Sequence, residues 1–129
     1  MSLVTIGQDS FESLVEQPGI AVVDCWAAWC GPCKVFAPIF ERVAGNHPEH
    51  TFAKLDSESE KDLVKSLGIE QIPALLIYRD GILLLRQPGN FSEEQLEDLI
   101  HQAETIDMEM VRRDQAAEEA RRRAEQASD

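Results

Sequence analysis

Hydrophobic residues recur along the chain at spacings that alternate between those of strands and those of helices. A short apolar segment at residues 4–6 and a nearly continuous apolar run at Ile20–Trp26 (IAVVDCW) have strand character, and the second is apolar enough to be covered on both faces. Between them, Asp9 and Glu12 form a pair typical of an N-terminal helix cap, which predicts a helix over residues 10–16. We therefore expect Ile20–Trp26 to be a central strand.

The rest of the chain continues this alternation up to a final helix. Its periodicity predicts a helix at residues 32–45, a strand at 51–55, a helix at 57–67, strands at 74–78 and 83–85, and a helix that begins at Ser92. Asp80-Gly81 is a strong hairpin signal, so the last two strands should pair in antiparallel fashion. The order βαβαβαββα requires helices on both faces of a mixed sheet, and the predicted fold class is α/β.

Length and charge narrow the class of protein. With 129 residues and 43% apolar content, the chain suits one compact domain. Its net charge of −12 at pH 7 would repel nucleic acid and anionic lipid, so protein partners are expected. The chain opens without a basic leader, and no segment approaches the roughly 20 apolar residues that span a bilayer. We therefore expect a cytoplasmic protein that binds neither nucleic acid nor membranes.

All three cysteines lie in one short segment, residues 24–34 (DCWAAWCGPCK). A permanent disulfide is disfavoured in a reducing cytosol, and an odd number of cysteines leaves at least one thiol unpaired. Cys30 and Cys33 form a C-x-x-C pair between the predicted central strand and the next helix. Helical N–H groups and the positive end of the helix dipole would stabilise a thiolate on Cys30. Cys33 is then close enough to attack a mixed disulfide formed on Cys30.

The same segment resembles the active site of thioredoxins. WCGPCK at residues 29–34, preceded by VVDCWA at residues 22–27, is similar to the active-site strand and turn of that family. The resemblance extends over residues 3–103 and includes the Ile72-Pro73 pair, the hairpin that follows it and Gly89. It implies a thioredoxin fold, in which helices flank both faces of a central mixed β-sheet.

The resemblance also implies the reaction. Cys30 would be the nucleophile and Cys33 the resolving cysteine of a thiol–disulfide oxidoreductase that reduces protein disulfides, with Gly31 and Pro32 setting a reducing potential. No bound cofactor is implied, because the redox-active group is the Cys30–Cys33 disulfide itself. A thioredoxin reductase would return this disulfide to the dithiol form with electrons from NADPH.

Asp24 and Lys54 are further catalytic candidates by resemblance. Asp24 lies within the predicted central strand, where burial would raise its pKa and let it accept the proton of Cys33, directly or through water. Lys54, on the neighbouring predicted strand, resembles the family lysine that lies beside this carboxylate and tunes it. A structural salt bridge between the two residues is the alternative.

A second set of residues is predicted to bind the substrate. Pro73 resembles the family's cis-proline, whose loop offers backbone hydrogen bonds to an extended substrate segment; a proline that merely starts a strand is the alternative. Trp29 resembles an exposed tryptophan that borders the substrate groove, whereas Trp26 is interpreted as a packing residue. The predicted substrate-binding residues are Trp29, Gly31, Pro32, Ile72, Pro73, Gly89 and Asn90.

Metal binding is a competing interpretation of the cysteines. Cys25, Cys30 and Cys33 have the C-x4-C-x2-C spacing of plant-type ferredoxins, but such a cluster needs a fourth cysteine, which the chain lacks. Cys25 should point into the core, so we interpret it as a buried free thiol. The histidines show no ligand spacing and are interpreted as surface residues; they are His47, His50 and His101. We therefore predict no metal site.

The chain beyond the predicted domain at residues 1–103 is expected to be a charged helical extension. Residues 104–129 hold oppositely charged pairs at i,i+4 spacing, so we expect the last helix to continue through them. A weak coiled-coil pattern makes a tail-mediated dimer the alternative to a monomer with a solvated tail. The alternative function is a redox-linked adaptor or holdase that binds a client through the tail, but the intact WCGPC motif favours the enzyme.

Overall fold

A computed structural model describes residues 3–127 of the chain. The predicted domain (1–103) and extension (104–129) also include residues 1, 2, 128 and 129, which lie outside the described residues. The strands are β1 (Leu3–Ile6), β2 (Ile20–Trp26), β3 (Thr51–Asp56), β4 (Ala74–Arg79) and β5 (Ile82–Pro88). The helices are α1 (Gln8–Val15), α2 (Gly31–Asn46), α3 (Lys61–Ser66), α4 (Glu93–Thr105) and α5 (Met108–Ala127). Up to α4, this is the predicted order of elements.

The strands form one five-stranded mixed sheet in the order β1-β3-β2-β4-β5. Strands β1, β3 and β2 are parallel, whereas β4 runs antiparallel to both β2 and β5. Strand β2 is therefore central, as predicted, and its first six residues are buried. Helices α1 and α3 pack on one face of the sheet, and α2 and α4 pack on the other. The predicted α/β class, with helices on both faces, is confirmed.

Two local signals determine the turn after β4 and the start of α4. Asp80 and Gly81 have positive φ angles of 53° and 83°, the conformation that a tight hairpin turn requires. Ser92 caps α4, because its hydroxyl accepts the N–H of Gln95 at 3.1 Å while the Gln95 side chain accepts the N–H of Ser92 at 2.9 Å. Both features lie where the sequence predicted them.

Two helices begin at positions that differ from the prediction. Helix α1 starts earlier, because the hydroxyl of Ser10 accepts the N–H of Gly7 at 3.2 Å and fixes the first turn there. Helix α3 starts later, at Lys61. Asp56 Oδ1 accepts the N–H of Glu58 at 2.9 Å, and this local bond holds the preceding residues in a turn rather than a helix.

The chain after α4 does not continue as one helix, so that prediction is wrong. Helix α4 ends where Arg79 of β4 donates to two of its last carbonyl oxygens, those of Ala103 at 3.0 Å and Glu104 at 3.1 Å. Asp107 then starts α5, since its Oδ1 accepts the N–H of Glu109 at 3.0 Å. A side chain from a strand thus ends one helix, and an aspartate begins the next.

Only the first part of α5 packs against the rest of the protein. Met108 is buried, and Arg112 Nη2 lies 3.2 Å from Asp80 Oδ2 in the turn between β4 and β5. Residues 113–127 are all exposed. Within residues 3–127, no helix combines the length and the apolar character needed to cross a membrane.

Candidate active site

The cysteine pair lies where the central strand has ended and helix α2 begins. Cys30 is the N-cap residue of α2, and it forms a disulfide with Cys33 in this structure. The N–H of Cys33 donates to Cys30 Sγ at 3.2 Å, and both residues are buried. This donor and the positive end of the helix both favour negative charge on Cys30 Sγ, so the reduced form can hold a thiolate there. The structure brings the two cysteines together as the sequence predicted.

The loop before β4 lies beside the cysteine pair. The Ile72-Pro73 peptide bond is cis, as the resemblance implied, and the carbonyl oxygen of Ile72 lies 3.9 Å from Cys30 Sγ. The N–H of Gly89 donates to the carbonyl oxygen of Pro73 at 2.8 Å, which ties the end of β5 to this loop. The Ile72-Pro73 loop therefore lies beside Cys30, Gly89 contacts this loop, and Asn90 follows as an exposed residue.

Trp29 is the most exposed large apolar residue of this surface. It is 67% exposed, and its indole Nε1 donates to the carboxylate of Glu58, in the turn before α3. Trp26 is half-buried against the cysteine pair, as expected of a packing residue. Gly31 and Pro32 are exposed in the first turn of α2. Sequence reasoning missed Glu58, because no motif or spacing links it to the tryptophan.

Asp24 and Lys54 are partners in the register of β2 and β3. Asp24 is only 1% exposed, and neither carboxylate oxygen has a hydrogen-bond partner among residues 3–127. Burial raises the pKa of Asp24 to about 7, although the positive charge of Lys54 lowers it in part. The Nζ atom of Lys54 lies 5.1 Å from the centre of the Trp26 ring. The predicted burial and raised pKa of Asp24 are therefore present.

A surface pocket lies between Lys54 and Cys33. It has a volume of about 270 Å³, and its lining includes Trp26, Cys33, Lys34 and Lys54. Cys33 and Lys54 thus share one pocket, and Asp24 is the neighbour of Lys54 in the sheet.

Cys25 lies apart from the redox pair. It is a free, buried cysteine in the part of the core that α1 and α3 cover, whereas Cys30 and Cys33 form a separate small cluster with Ala27. Burial, reinforced by the negative charge of Asp24, raises the pKa of the Cys25 thiol to about 12, so the thiol stays neutral and unreactive. In the described part of the chain, the cysteines form no group of metal ligands, and the ferredoxin-like alternative has no support.

Two of the three histidines differ from their interpretation as surface residues. The side chain of His101 is 71% exposed, as predicted, but those of His47 and His50 are only 16% and 11% exposed. His47 Nε2 lies 2.5 Å from Glu97 Oε1, and His50 Nε2 lies 2.7 Å from Glu104 Oε2. The surface interpretation is wrong for these two, because α4 packs against the segment that carries them.

Known proteins with similar sequences decide the family. The thioredoxin family model matches residues 2–102. The chain belongs to the thioredoxin family. It is 38% identical over 119 residues to a Streptomyces coelicolor protein named "Putative thioredoxin 2", a match that covers 92% of this chain and 89% of that protein. A thioredoxin from Staphylococcus epidermidis is 32% identical over 101 residues, which cover 78% of this chain and 96% of that protein.

Solved thioredoxin structures share the fold. A mutant thioredoxin from Halobacterium salinarum NRC-1 matches with a TM-score of 0.70 and 28% identity, covering 76% of this chain and 86% of that chain. Thioredoxin membership and the Cys30–Cys33 pair together identify a thiol–disulfide oxidoreductase whose substrates are protein disulfides. Thioredoxins need no bound cofactor, which fits a site whose redox group is its own disulfide. None of these relatives favours the adaptor or holdase alternative.

Proposed function

We propose that Cys30 attacks the substrate disulfide and that Cys33 resolves the mixed disulfide. The observation that carries this assignment is the N–H of Cys33, which donates to Cys30 Sγ at 3.2 Å at the start of α2 and favours a thiolate on Cys30. Attack by this thiolate forms the mixed disulfide and releases one substrate sulfur. Attack by Cys33 on Cys30 Sγ releases the other sulfur and leaves the Cys30–Cys33 disulfide, so two electrons pass to the substrate.

Asp24 accepts the proton that Cys33 loses before it attacks. A carboxyl group with a pKa of about 7 exchanges protons near neutral pH. Lys54 lines the same pocket as Cys33 and lowers the pKa of Asp24, so part of the carboxyl group is ionised and able to accept a proton, directly or through water. A purely structural salt bridge has less support, because neither oxygen of Asp24 has a hydrogen-bond partner within residues 3–127.

The substrate segment binds across the surface around Cys30. Support comes from the exposure of Trp29, from the Ile72-Pro73 loop beside the nucleophile, and from the hydrogen bond that ties Gly89 to that loop. Backbone groups of the loop would pair with an extended substrate segment. The residues assigned to this surface are Trp29, Gly31, Pro32, Ile72, Pro73, Gly89 and Asn90.

A thioredoxin reductase, supplied with electrons from NADPH, returns the Cys30–Cys33 disulfide to the dithiol. The assignment rests on family membership and on the chemistry, because every turnover leaves the enzyme oxidised. We place the protein in the cytoplasm as a monomer, with residues 1–103 as the catalytic domain and residues 104–129 as an extension.

The test is reduction of insulin disulfides driven by dithiothreitol. Cys30→Ser and Cys33→Ser should each abolish the acceleration given by the wild type. Cys25→Ala is the matched control, because it removes a sulfur outside the pair, and it should retain the wild-type rate. Cys33→Ser should also accumulate a mixed disulfide with the substrate, whereas Cys30→Ser should not. A mixed disulfide trapped only in Cys30→Ser would reverse the two assignments.

A further inference from the structure

A cluster of two histidines and two glutamates lies at the end of the sheet remote from the cysteine pair. His47, Glu49 and His50 belong to the segment between α2 and β3, and Glu104 lies in the last turn of α4. Each residue offers one ligand atom, and these atoms all lie within 4.8 Å of one another. The segment enters β3 beside the start of β2, whereas the cysteine pair follows the end of β2.

The distances within the cluster suit tetrahedral coordination. His50 Nε2 lies 2.7 Å from Glu104 Oε2 and 3.8 Å from Glu49 Oε2, and His47 Nδ1 lies 3.2 Å from Glu49 Oε2. Ligands held at about 2.0–2.2 Å from a zinc ion in tetrahedral geometry are about 3.4 Å apart. These three distances bracket this value, and all four atoms lie within 4.8 Å of one another, so side-chain movements without a backbone change would admit an ion among them.

Glu97 orients one of the histidines for metal binding. Glu97 Oε1 lies 2.5 Å from His47 Nε2 and accepts the N–H of that nitrogen. In this tautomer, the free lone pair of the ring is on Nδ1, the nitrogen that faces Glu49. Asn46 Nδ2 donates to Glu97 Oε2 at 3.1 Å and holds the carboxylate in place. A carboxylate that accepts the second N–H of a histidine is a common support of metal centres, because it fixes the ring orientation.

The charges of the cluster also favour a cation. Glu49, Glu97 and Glu104 all face the two imidazole rings, and no lysine or arginine in the described part of the chain forms an ion pair with these glutamates. The rings of His47 and His50 are stacked, with centroids 5.5 Å apart and planes 16° apart, so positive charge on both rings would be repulsive. One divalent ion would neutralise the two ligand carboxylates, Glu49 and Glu104, while both rings stay uncharged.

The sequence predicted no metal site, but from this geometry we propose that His47, Glu49, His50 and Glu104 bind one divalent transition-metal ion. Two nitrogen and two oxygen donors in a near-tetrahedral arrangement favour Zn²⁺ among such ions. The ion joins the segment between α2 and β3 to the last turn of α4. Its role is structural, and it is separate from the thiol chemistry at the other end of the sheet.

The test is calorimetric titration of the oxidised full-length protein with zinc chloride; oxidation keeps the cysteine pair from binding the metal. The wild type should bind one ion per chain with micromolar or tighter affinity. Glu104→Gln removes a ligand charge at constant shape and should weaken binding at least tenfold. Glu94→Gln, an exposed position on the same helix, is the matched control and should leave binding unchanged. Glu97→Gln should weaken binding by about 10–100-fold.

Two further measurements separate a lost ligand from a damaged fold. Zinc should raise the midpoint temperature of thermal unfolding of the wild type and of Glu94→Gln. The increase should be much smaller for Glu104→Gln. Reduction of insulin by all variants should stay at the wild-type rate. Only millimolar binding by the wild type, or equal binding by Glu104→Gln and Glu94→Gln, would overturn the proposal.

Discussion

Asp24 of β2 lies opposite Lys54 of β3 in the sheet register, and the buried carboxyl group of Asp24 has a pKa of about 7. The folded protein therefore keeps a proton on Asp24 between pH 3.8 and about 7, where the unfolded chain has released it. Because only the folded state binds this proton, the contribution of Asp24 to the free energy of unfolding decreases as the pH rises through that window. Above it, Asp24 adds no further pH dependence.

We predict that Asp24→Asn removes this pH dependence of stability. The wild type should lose up to about 4 kcal/mol of unfolding free energy through this group between pH 4 and pH 7. At pH 8, the variant should be more stable than the wild type, because it buries no charge. Urea denaturation of the oxidised protein at a series of pH values measures both effects. Identical pH profiles for the two proteins would contradict the raised pKa.

Asp24→Asn should also slow the resolving step. Loss of a general base costs about 10²–10⁴-fold in rate, so at pH 7 we expect the release of substrate from the mixed disulfide to slow by at least tenfold. The defect should shrink at pH 9, where the Cys33 thiol ionises more readily without help. Single-turnover kinetics with a fluorescent disulfide substrate report this step. Asp62→Asn, at an exposed position in α3, is the control and should keep the wild-type rate.

Cys25 should be chemically silent in the native protein. With Cys30 and Cys33 oxidised, iodoacetamide should leave the folded chain unmodified and add one label after unfolding, as measured by mass spectrometry. Cys25→Ser should lower the unfolding free energy by about 1–3 kcal/mol, because it places a hydroxyl group in an apolar part of the core. The rate of insulin reduction should not change. Labelling of the folded wild type would show that the thiol is accessible.

Arg79 should stabilise the junction between the last two helices. Arg79→Met removes the donor to the carbonyl oxygens of Ala103 and Glu104 and should lower the unfolding free energy by about 1–3 kcal/mol. Arg112→Met is a suitable comparison, since it breaks only an exposed ion pair with Asp80, worth at most about 1 kcal/mol. Urea denaturation distinguishes the two variants. A larger effect for Arg112→Met would show that the junction is held mainly through α5.

Deletion of residues 114–129 should leave the enzyme intact. The truncated chain keeps Met108, which is buried, and Arg112, which pairs with Asp80. We expect unchanged insulin reduction, and analytical ultracentrifugation should give the mass of a monomer for both the full-length and the truncated chain. A fall in molecular mass from dimer to monomer on deletion would support the coiled-coil alternative, and loss of turnover would assign the extension a part in function.

Local patterns predicted the parts of the fold that depend on neighbouring residues. The nearly continuous apolar run predicted both ends of β2, Ile20–Trp26, because a strand covered on both faces is apolar at almost every position and Asp24 lies inside the run rather than at either end. The Asp80-Gly81 turn and the Ser92 cap follow from backbone conformation and from hydrogen bonds within a few residues. The cysteine pair was predictable for the same reason, since its motif is contiguous.

Contacts between distant segments were not predictable from these patterns. The end of α4 depends on Arg79, which lies in strand β4. The spacing of apolar residues within the helix therefore could not predict where the helix ends. His47 is covered because Glu97, which is 50 residues away in sequence, packs against it. Glu58 contacts Trp29 only because the folded chain places the turn before α3 beside that residue. Each of these contacts needs the folded sheet to bring its partners together.

Asp24 and Cys25 are consecutive residues of a strand whose side chains alternate between the two faces of the sheet. A slip of one position would bring a third sulfur to the face of the redox pair and move the carboxyl group into the apolar layer beneath α1 and α3. Pairing with β3 on one side and β4 on the other blocks this slip. The hydrogen bonds to β3 and β4 therefore keep the Cys25 thiol in the apolar layer beneath α1 and α3. There it cannot exchange with the disulfide between Cys30 and Cys33.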